Sequence, residues 1–244
     1  MENLHIDYYD INSYHADFMQ QLSPVSLFGF LQESAWRHAN SKGFGYGHLA
    51  ERNEFWVLAK VHVLINRMPN WTEKVRLETW GKEPELLTAY RDFEFFDANS
   101  QSIIHATSSW HILNMQSHRP VRLSHFADGF PFMNRHAISD KPQKILLPAS
   151  NAAKSAVFSI VPSDIDLNRH VNNTKYIQWA MDCIPLEFQE QHLLREINVN
   201  FLSESRIGEN YFIETFQDGL NFTHFIFSEK ENRKLAAVQS VWQT

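Results

Sequence analysis

The chain has 244 residues, enough for one large domain or two small ones. Its 43% hydrophobic and 14% aromatic content supplies a substantial core, and 20% charged residues is ordinary for a folded protein, so disorder is excluded. A net charge of −6 gathers no polyanion and argues against nucleic acid as a partner, while the single cysteine, Cys183, excludes an internal disulfide and a CxxC metal or redox site and points to a reducing compartment, the cytoplasm by expectation.

The opening residues Met1-Glu2-Asn3-Leu4-His5 carry no basic n-region or apolar h-region, so no export leader is expected. The most apolar stretch, Phe55 to Ile65, is interrupted by Lys60 and His62 and falls short of the ~20 residues that cross a bilayer, so no membrane partner is expected. A strand is expected near 4–15. Ser23 suits a helix cap and Pro24 a first turn, and Leu27, Phe30, Leu31, Ser34, Ala35 and His38 follow a helical stripe until Gly43 closes it. Val57, Ala59, Val61, Val63 and Ile65 then alternate as in a strand, and further strands are expected near 74–82, 86–96 and 101–115. From Gln116 onward Pro, Ser, His and Lys dominate without a sustained period, which predicts a linker over 116–154. A second series follows. A strand near 155–161 precedes a helix capped by Asn172 or Asn173, striped by Tyr176, Ile177, Ala180, Met181 and Ile184 and ended by Pro185. Strands near 193–203, 209–217, 221–229 and 234–243 complete it.

The two series align. Val61–Trp80 lies over Ile197–Phe216 without a gap at an offset of 136 residues, with identities at Val63/Val199, Glu73/Glu209, Glu78/Glu214 and Thr79/Thr215. The reading is α+β: two β-α-β-β-β-β domains, 1–115 and 155–244, each an antiparallel sheet curled around a helix.

The densest polar cluster, Asp164 to Asn173, falls just before the second helix. In an extended segment Asp166, Asn168 and His170 would project to one side as a carboxylate, an amide and an imidazole, beside helix-start N–H groups near Val171 to Asn173 suited to an oxyanion. The alternative is turn and cap chemistry. With Trp36 laid on Trp179, the three residues face Ser23, Val25 and Leu27, and the 136-residue offset puts Met68 opposite Glu204. The ionisable set is therefore expected in the second half alone. His105, His111, His118 and His125 lack metal-ligand spacing, and the eight glycines form no phosphate loop, so neither metal nor cofactor is expected.

The run Asp166-Leu-Asn168-Arg-His170-Val-Asn172-Asn173-Thr-Lys175-Tyr176-Ile-Gln-Trp179 resembles the signature D-x-N-x-H-V-N-N-x-K-Y-x-x-W of plant and bacterial acyl-acyl carrier protein (acyl-ACP) thioesterases. The likeness extends to Leu31-Gln32-Glu33-Ser34-Ala35, Trp56-Val57 and Trp80-Gly81. The resemblance implies a tandem hotdog fold and hydrolysis of the thioester joining a fatty acyl chain to acyl carrier protein. It carries the catalytic roles to Asp166, Asn168, His170 and Glu204, and gives the first domain an acyl-binding, non-catalytic part. Phe28, Phe30, Leu31, Trp36, Phe44, Phe55, Trp56 and Met68 are then candidates for an acyl slot, or plain core. Where the family often has cysteine after the glutamate, this chain has Ser205, which favours attack by water with Glu204 or Asp166 as base; a Ser205 nucleophile stays open. An acidic carrier would dock on cations, with Arg135, Lys141, Lys144, Arg169, Lys175, Arg195 and Arg206 as candidates. A hotdog acyl-CoA thioesterase and a non-catalytic acyl-thioester-binding protein remain alternatives. Two fused hotdogs make a monomer feasible and leave a homo-oligomer open.

Overall fold

The Ser23 side chain accepts the backbone N–H of Ser26, Pro24 occupies the first turn, and helix α1 runs over Pro24–Ser41. One stripe of it is buried, from Leu27 to Ala39, and Gly43, at φ +81°, turns the chain away. The structure, a computed structural model, describes residues 3–123 and 132–244 and divides into two units, Met1–Pro142 and Gln143–Thr244. His125 lies outside the described residues.

In the first unit α1 packs on a sheet of β1 (Leu4–Asp10), β2 (Glu54–Ile65), β3 (Lys74–Lys82), β4 (Ala89–Phe96) and β5 (Ser102–Asn114). The spatial order is β1-β3-β4-β5-β2, every neighbour antiparallel. A short helix not foreseen in the sequence, α2 (Tyr46–Ala50), inserts Leu49 against Ala89, Ile112 and Leu123. Part of the stretch read as linker packs on this sheet. Met133 donates its N–H to the Gly81 carbonyl, and Arg135 stacks on the Trp80 ring while pairing with Glu78 and Glu94.

The second unit repeats the plan. Its principal helix α3 (Asn173–Met181) is followed by a short α4 (Leu186–Gln191) that begins behind Pro185. Strands β8 (Leu193–Phe201), β9 (Asn210–Asp218), β10 (Asn221–Ser228) and β11 (Lys234–Gln243) lie in the order β8-β11-β10-β9. The outer edge of β9 carries β6 (Ala153–Lys154) and β7 (Phe158–Ser159). These two pieces stand where one strand, 155–161, was expected: between them the Ser155 hydroxyl takes the N–H of Ile213 and interrupts the ladder. The 136-residue offset lays β3 on β9 end to end, Lys74 on Asn210 and Lys82 on Asp218. Each unit is a hotdog, and the chain carries two in tandem.

The first unit also buries charged side chains. Lys82 and Asp92, both buried, pair at 3.0 Å. Arg91, also buried, donates from Nη1 to His38 Nδ1 at 3.0 Å and to Thr79 Oγ1 at 3.1 Å. Burial, then the Arg91 charge, holds the His38 pKa down at about 3, and burial brings Arg91 itself to about 10.

Candidate active site

Asp166 Oδ1 accepts the backbone N–H of Asn168 at 2.8 Å and of His170 at 3.2 Å, while its own N–H donates to the His170 carbonyl. Ile165 and Val171 bridge antiparallel across this loop, and Arg169 sits at φ +63°. The segment is therefore a tight turn, not the extended run in which three side chains would share a side. Local hydrogen bonds from the Asx side chain outcompete extension. Leu167 and Asn168 are exposed at its tip.

His170 leaves the turn toward Glu204, with Nε2 and Oε2 3.3 Å apart and side-chain exposures of 21% and 36%. A backbone hydrogen bond from Val171 to the Ser205 carbonyl, 2.9 Å, ties the two segments together one residue along. Asn172 is the residue that caps α3, accepting from Thr174 N at 3.0 Å. The Asn172 N–H donates to the Asp164 carbonyl. The N–H groups of Val171 and Asn172 are thus engaged within the protein, and the oxyanion role expected for them is not available.

Asp164 is the first residue of the polar cluster, and nothing in the sequence alone assigns it a role of its own. Nearly buried, it accepts the Val161 N–H on Oδ2 at 2.9 Å and lies 3.4 Å from Lys175 Nζ through Oδ1, fastening the turn to the helix start.

The first unit supplies an internal control. Asp17 Oδ1 accepts the N–H of Met19 at 2.9 Å and of Gln21 at 3.2 Å, the Asp17 N–H donates to the Gln21 carbonyl, and Gln20 sits at φ +59°. This is the same turn, at an offset of 149 residues, and it is followed by the cap Ser23 as the other is by Asn172. The counterparts of Asp166, Asn168 and His170 are therefore Asp17, Met19 and Gln21, not Ser23, Val25 and Leu27. The tryptophan alignment missed them because the two helices differ in length. Leu22 donates to the Pro69 carbonyl as Val171 does to Ser205, which keeps Met68 opposite Glu204. The aspartate occurs in both units, whereas the amide, the imidazole and the glutamate occur only in the second.

Residues 2–126 match the acyl-ACP thioesterase N-terminal domain and residues 149–244 the acyl-ACP thioesterase C-terminal domain. The chain belongs to the acyl-ACP thioesterase family. It is 29% identical over 214 residues to the chloroplastic acyl-[acyl-carrier-protein] hydrolase FATB1 of Cuphea viscosissima, covering 80% of this chain and 50% of that protein. With the chloroplastic palmitoyl-acyl carrier protein thioesterase of Gossypium hirsutum it shares 29% identity over 209 residues, 80% of this chain and 51% of the other. It spans about half the length of these curated relatives. A crystal structure of an acyl-ACP thioesterase from Bacteroides thetaiotaomicron superposes with a TM-score of 0.91 at 24% identity, covering 99% of this chain and 98% of that one. The 12:0-ACP thioesterase of Umbellularia californica gives 0.89 at 22%, covering 100% and 98%.

In this acyl-ACP thioesterase family member Ser205 is fully buried, and its hydroxyl lies 2.6 Å from that of Tyr176, whose pKa burial pushes up to about 12. Cys183 is half-buried, and burial raises its pKa too, which suits an inert thiol. Among the described residues no three His, Cys, Asp or Glu side chains gather to hold a metal ion, and no helix is long and apolar enough to cross a membrane. The proposed acyl-slot residues disperse. Phe28 and Leu31 border a void of about 10 Å³ with Leu58, Val61 and Phe93. Phe30 instead stacks on Tyr9, Phe44 and Trp56 pack near Leu49, and Trp36 is 49% exposed. Of the cations expected to dock a carrier, Arg135, Lys141 and Lys175 are paired with carboxylates and Arg195 bonds Gln243. Arg169 and Arg206, beside the histidine and two residues from the glutamate, are exposed.

Proposed function

We propose that the protein hydrolyses the thioester of fatty acyl-ACP, releasing free fatty acid and ending chain elongation. The observation that carries this reading is the His170–Glu204 pair, 3.3 Å apart and partly open to solvent, present in one of two otherwise corresponding units. Membership of the acyl-ACP thioesterase family supports the substrate class.

Glu204, with His170, takes the proton from the water that attacks the thioester carbonyl; the same pair then protonates the departing thiolate. Asn168, at the tip of the turn, orients the water or the carbonyl. Asp166 acts through the turn: its counterpart Asp17 makes the same bonds where no chemistry is proposed. The fully buried Ser205, bonded to Tyr176, supports water and not serine as the nucleophile. The carrier would meet Arg169 and Arg206 at the rim. The first unit would hold the acyl chain between α1 and its sheet, where Phe28, Leu31 and Phe93 border the void, so that void must widen to admit it. The lone cysteine supports a reducing compartment, and the cytoplasm is the location we propose.

Thiol release from a panel of acyl-ACP substrates, with the same acyl groups on coenzyme A beside them, is the test. A general base contributes about 10²–10⁴-fold, so His170→Ala and Glu204→Ala should each lower turnover by at least about 10² while remaining folded. Full activity in both variants overturns the site. Faster release from coenzyme A reassigns the carrier, and no release from either leaves a binding protein.

A further inference from the structure

The segment that carries Glu204 is fastened along its length. Leu202 and Ser203 donate their N–H groups to the Leu235 carbonyl at 2.8 and 3.1 Å, the Ser205 carbonyl accepts from Val171, and the Arg206 N–H donates to Glu209 Oε1 at 3.1 Å. At Glu204 itself the holding contact is on the carbonyl, which accepts from Arg233 Nη1 at 2.9 Å. Arg233 comes from the turn between β10 and β11. Two carboxylates orient its guanidinium, Glu231 on Nε at 2.8 Å and Glu209 on Nη2 at 3.5 Å.

The first unit shows how general the grip is. The carbonyl of Met68, opposite Glu204, accepts from Arg67 Nη1 at 3.3 Å, and Arg67 is in turn held by Glu73, opposite Glu209, at 2.8 Å. Yet the position matching Arg67 in the second unit is Ser203, so there the arginine reaches in from a different turn. The same carbonyl is gripped by an arginine seated on the same glutamate, from two unrelated places in sequence. In the second unit alone, the gripped residue carries a carboxylate facing an imidazole.

We propose that Arg233 is a positioning residue: by holding the Glu204 carbonyl it sets where the Glu204 carboxylate meets His170. Its activity readout rests on the proposed hydrolysis, but its structural readout does not. A base displaced by about 1 Å loses up to about a hundredfold in rate without weakening substrate binding.

The experiment compares Arg233→Met, Arg233→Lys and Arg67→Met by kcat, KM and Tm on acyl-ACP, with crystal structures of the variants. Arg233→Met should lose about tenfold to a hundredfold in kcat with KM nearly unchanged, and millimolar guanidinium ion should restore part of it. Arg67→Met should lose similar Tm and keep kcat. In the Arg233→Met crystal the His170 Nε2 to Glu204 Oε2 separation should exceed hydrogen-bond reach. Wild-type kcat in Arg233→Met, an unchanged separation, or an equal kcat loss in Arg67→Met each overturns the proposal. Should the methionine variant not fold, Arg233→Lys decides by the same separation and the same kcat-against-KM split. If the wild type turns over no acyl-ACP at all, the functional reading fails while the separation still reports on Arg233.

Discussion

At Asp166 two roles predict different chemistry. A general base must keep an ionisable carboxylate, whereas a turn-holder needs only an acceptor oxygen for the N–H groups of Asn168 and His170. Asparagine keeps that oxygen and alanine does not. We therefore expect Asp166→Asn to retain turnover within a few-fold and Asp166→Ala to lose both turnover and stability, the latter by about 0.5–1.5 kcal/mol for each turn hydrogen bond lost, since water reaches this exposed turn. Steady-state kinetics beside thermal melts check this; a folded but inactive asparagine variant would return Asp166 to the chemistry. The polar cluster was legible in sequence as residue types. Its geometry was not, because alternating Asp-x-Asn-x-His fits a strand edge and a turn equally well. What separates them is a carboxylate bonding two and four residues ahead, and the sequence holds a second copy of that pattern at Asp17 in which only the aspartate survives.

Between elements, Tyr176 and Ser205 join the start of α3 to the loop after β8. Both are buried, and the 2.6 Å contact between their hydroxyls satisfies each. Ser205→Ala strands the Tyr176 hydroxyl in a dry site, an expected cost of about 1–3 kcal/mol. The Ser205 carbonyl would still accept from Val171, so His170 and Glu204 should stay in register and most of the activity should persist. Calorimetry and the thiol-release assay together check it, and an inactive variant of normal stability would restore a serine nucleophile. Strands and principal helices were legible because two-residue and helical periodicities report burial directly. The ends of β3 and β9 agree with expectation to within a residue. What escaped was short. α2 and α4 are too brief to show a period. The break between β6 and β7 depends on one serine side chain replacing a backbone group, and periodicity carries no trace of that.

For the molecule as a whole, each unit buries one uncharged histidine among the described residues. His38 Nδ1 accepts from Arg91, and His224 Nδ1 lies 3.0 Å from Thr215 Oγ1; Nε2 of each has no hydrogen-bond partner among the described residues. Burial, with the Arg91, His5 and Lys42 charges, holds His38 at about 3, and burial alone brings His224 to about 4. In the unfolded chain both return to about 6.5. Between those values the unfolded chain binds more protons than the folded one, so stability rises with pH across that window. It is complete above about pH 6.5 and is lost as the pH falls toward 4 and 3. Thermal melts from pH 7.5 to 4 should show Tm falling by about 6–12 °C for each histidine, since the protonation withheld between pH 6.5 and 4 is worth about 3 kcal/mol and about 1 kcal/mol moves Tm by about 2–4 °C at this chain length. Glutamine keeps a neutral polar group at either site without titrating. His38→Gln and His224→Gln should each flatten the Tm–pH slope, and the double variant should flatten it most. Slopes equal to that of the wild type would assign the acid sensitivity to groups other than these two histidines. The sequence counts thirteen histidines and gives no reason to prefer two. Burial singles these out, and it depends on which strands and helices close over each ring.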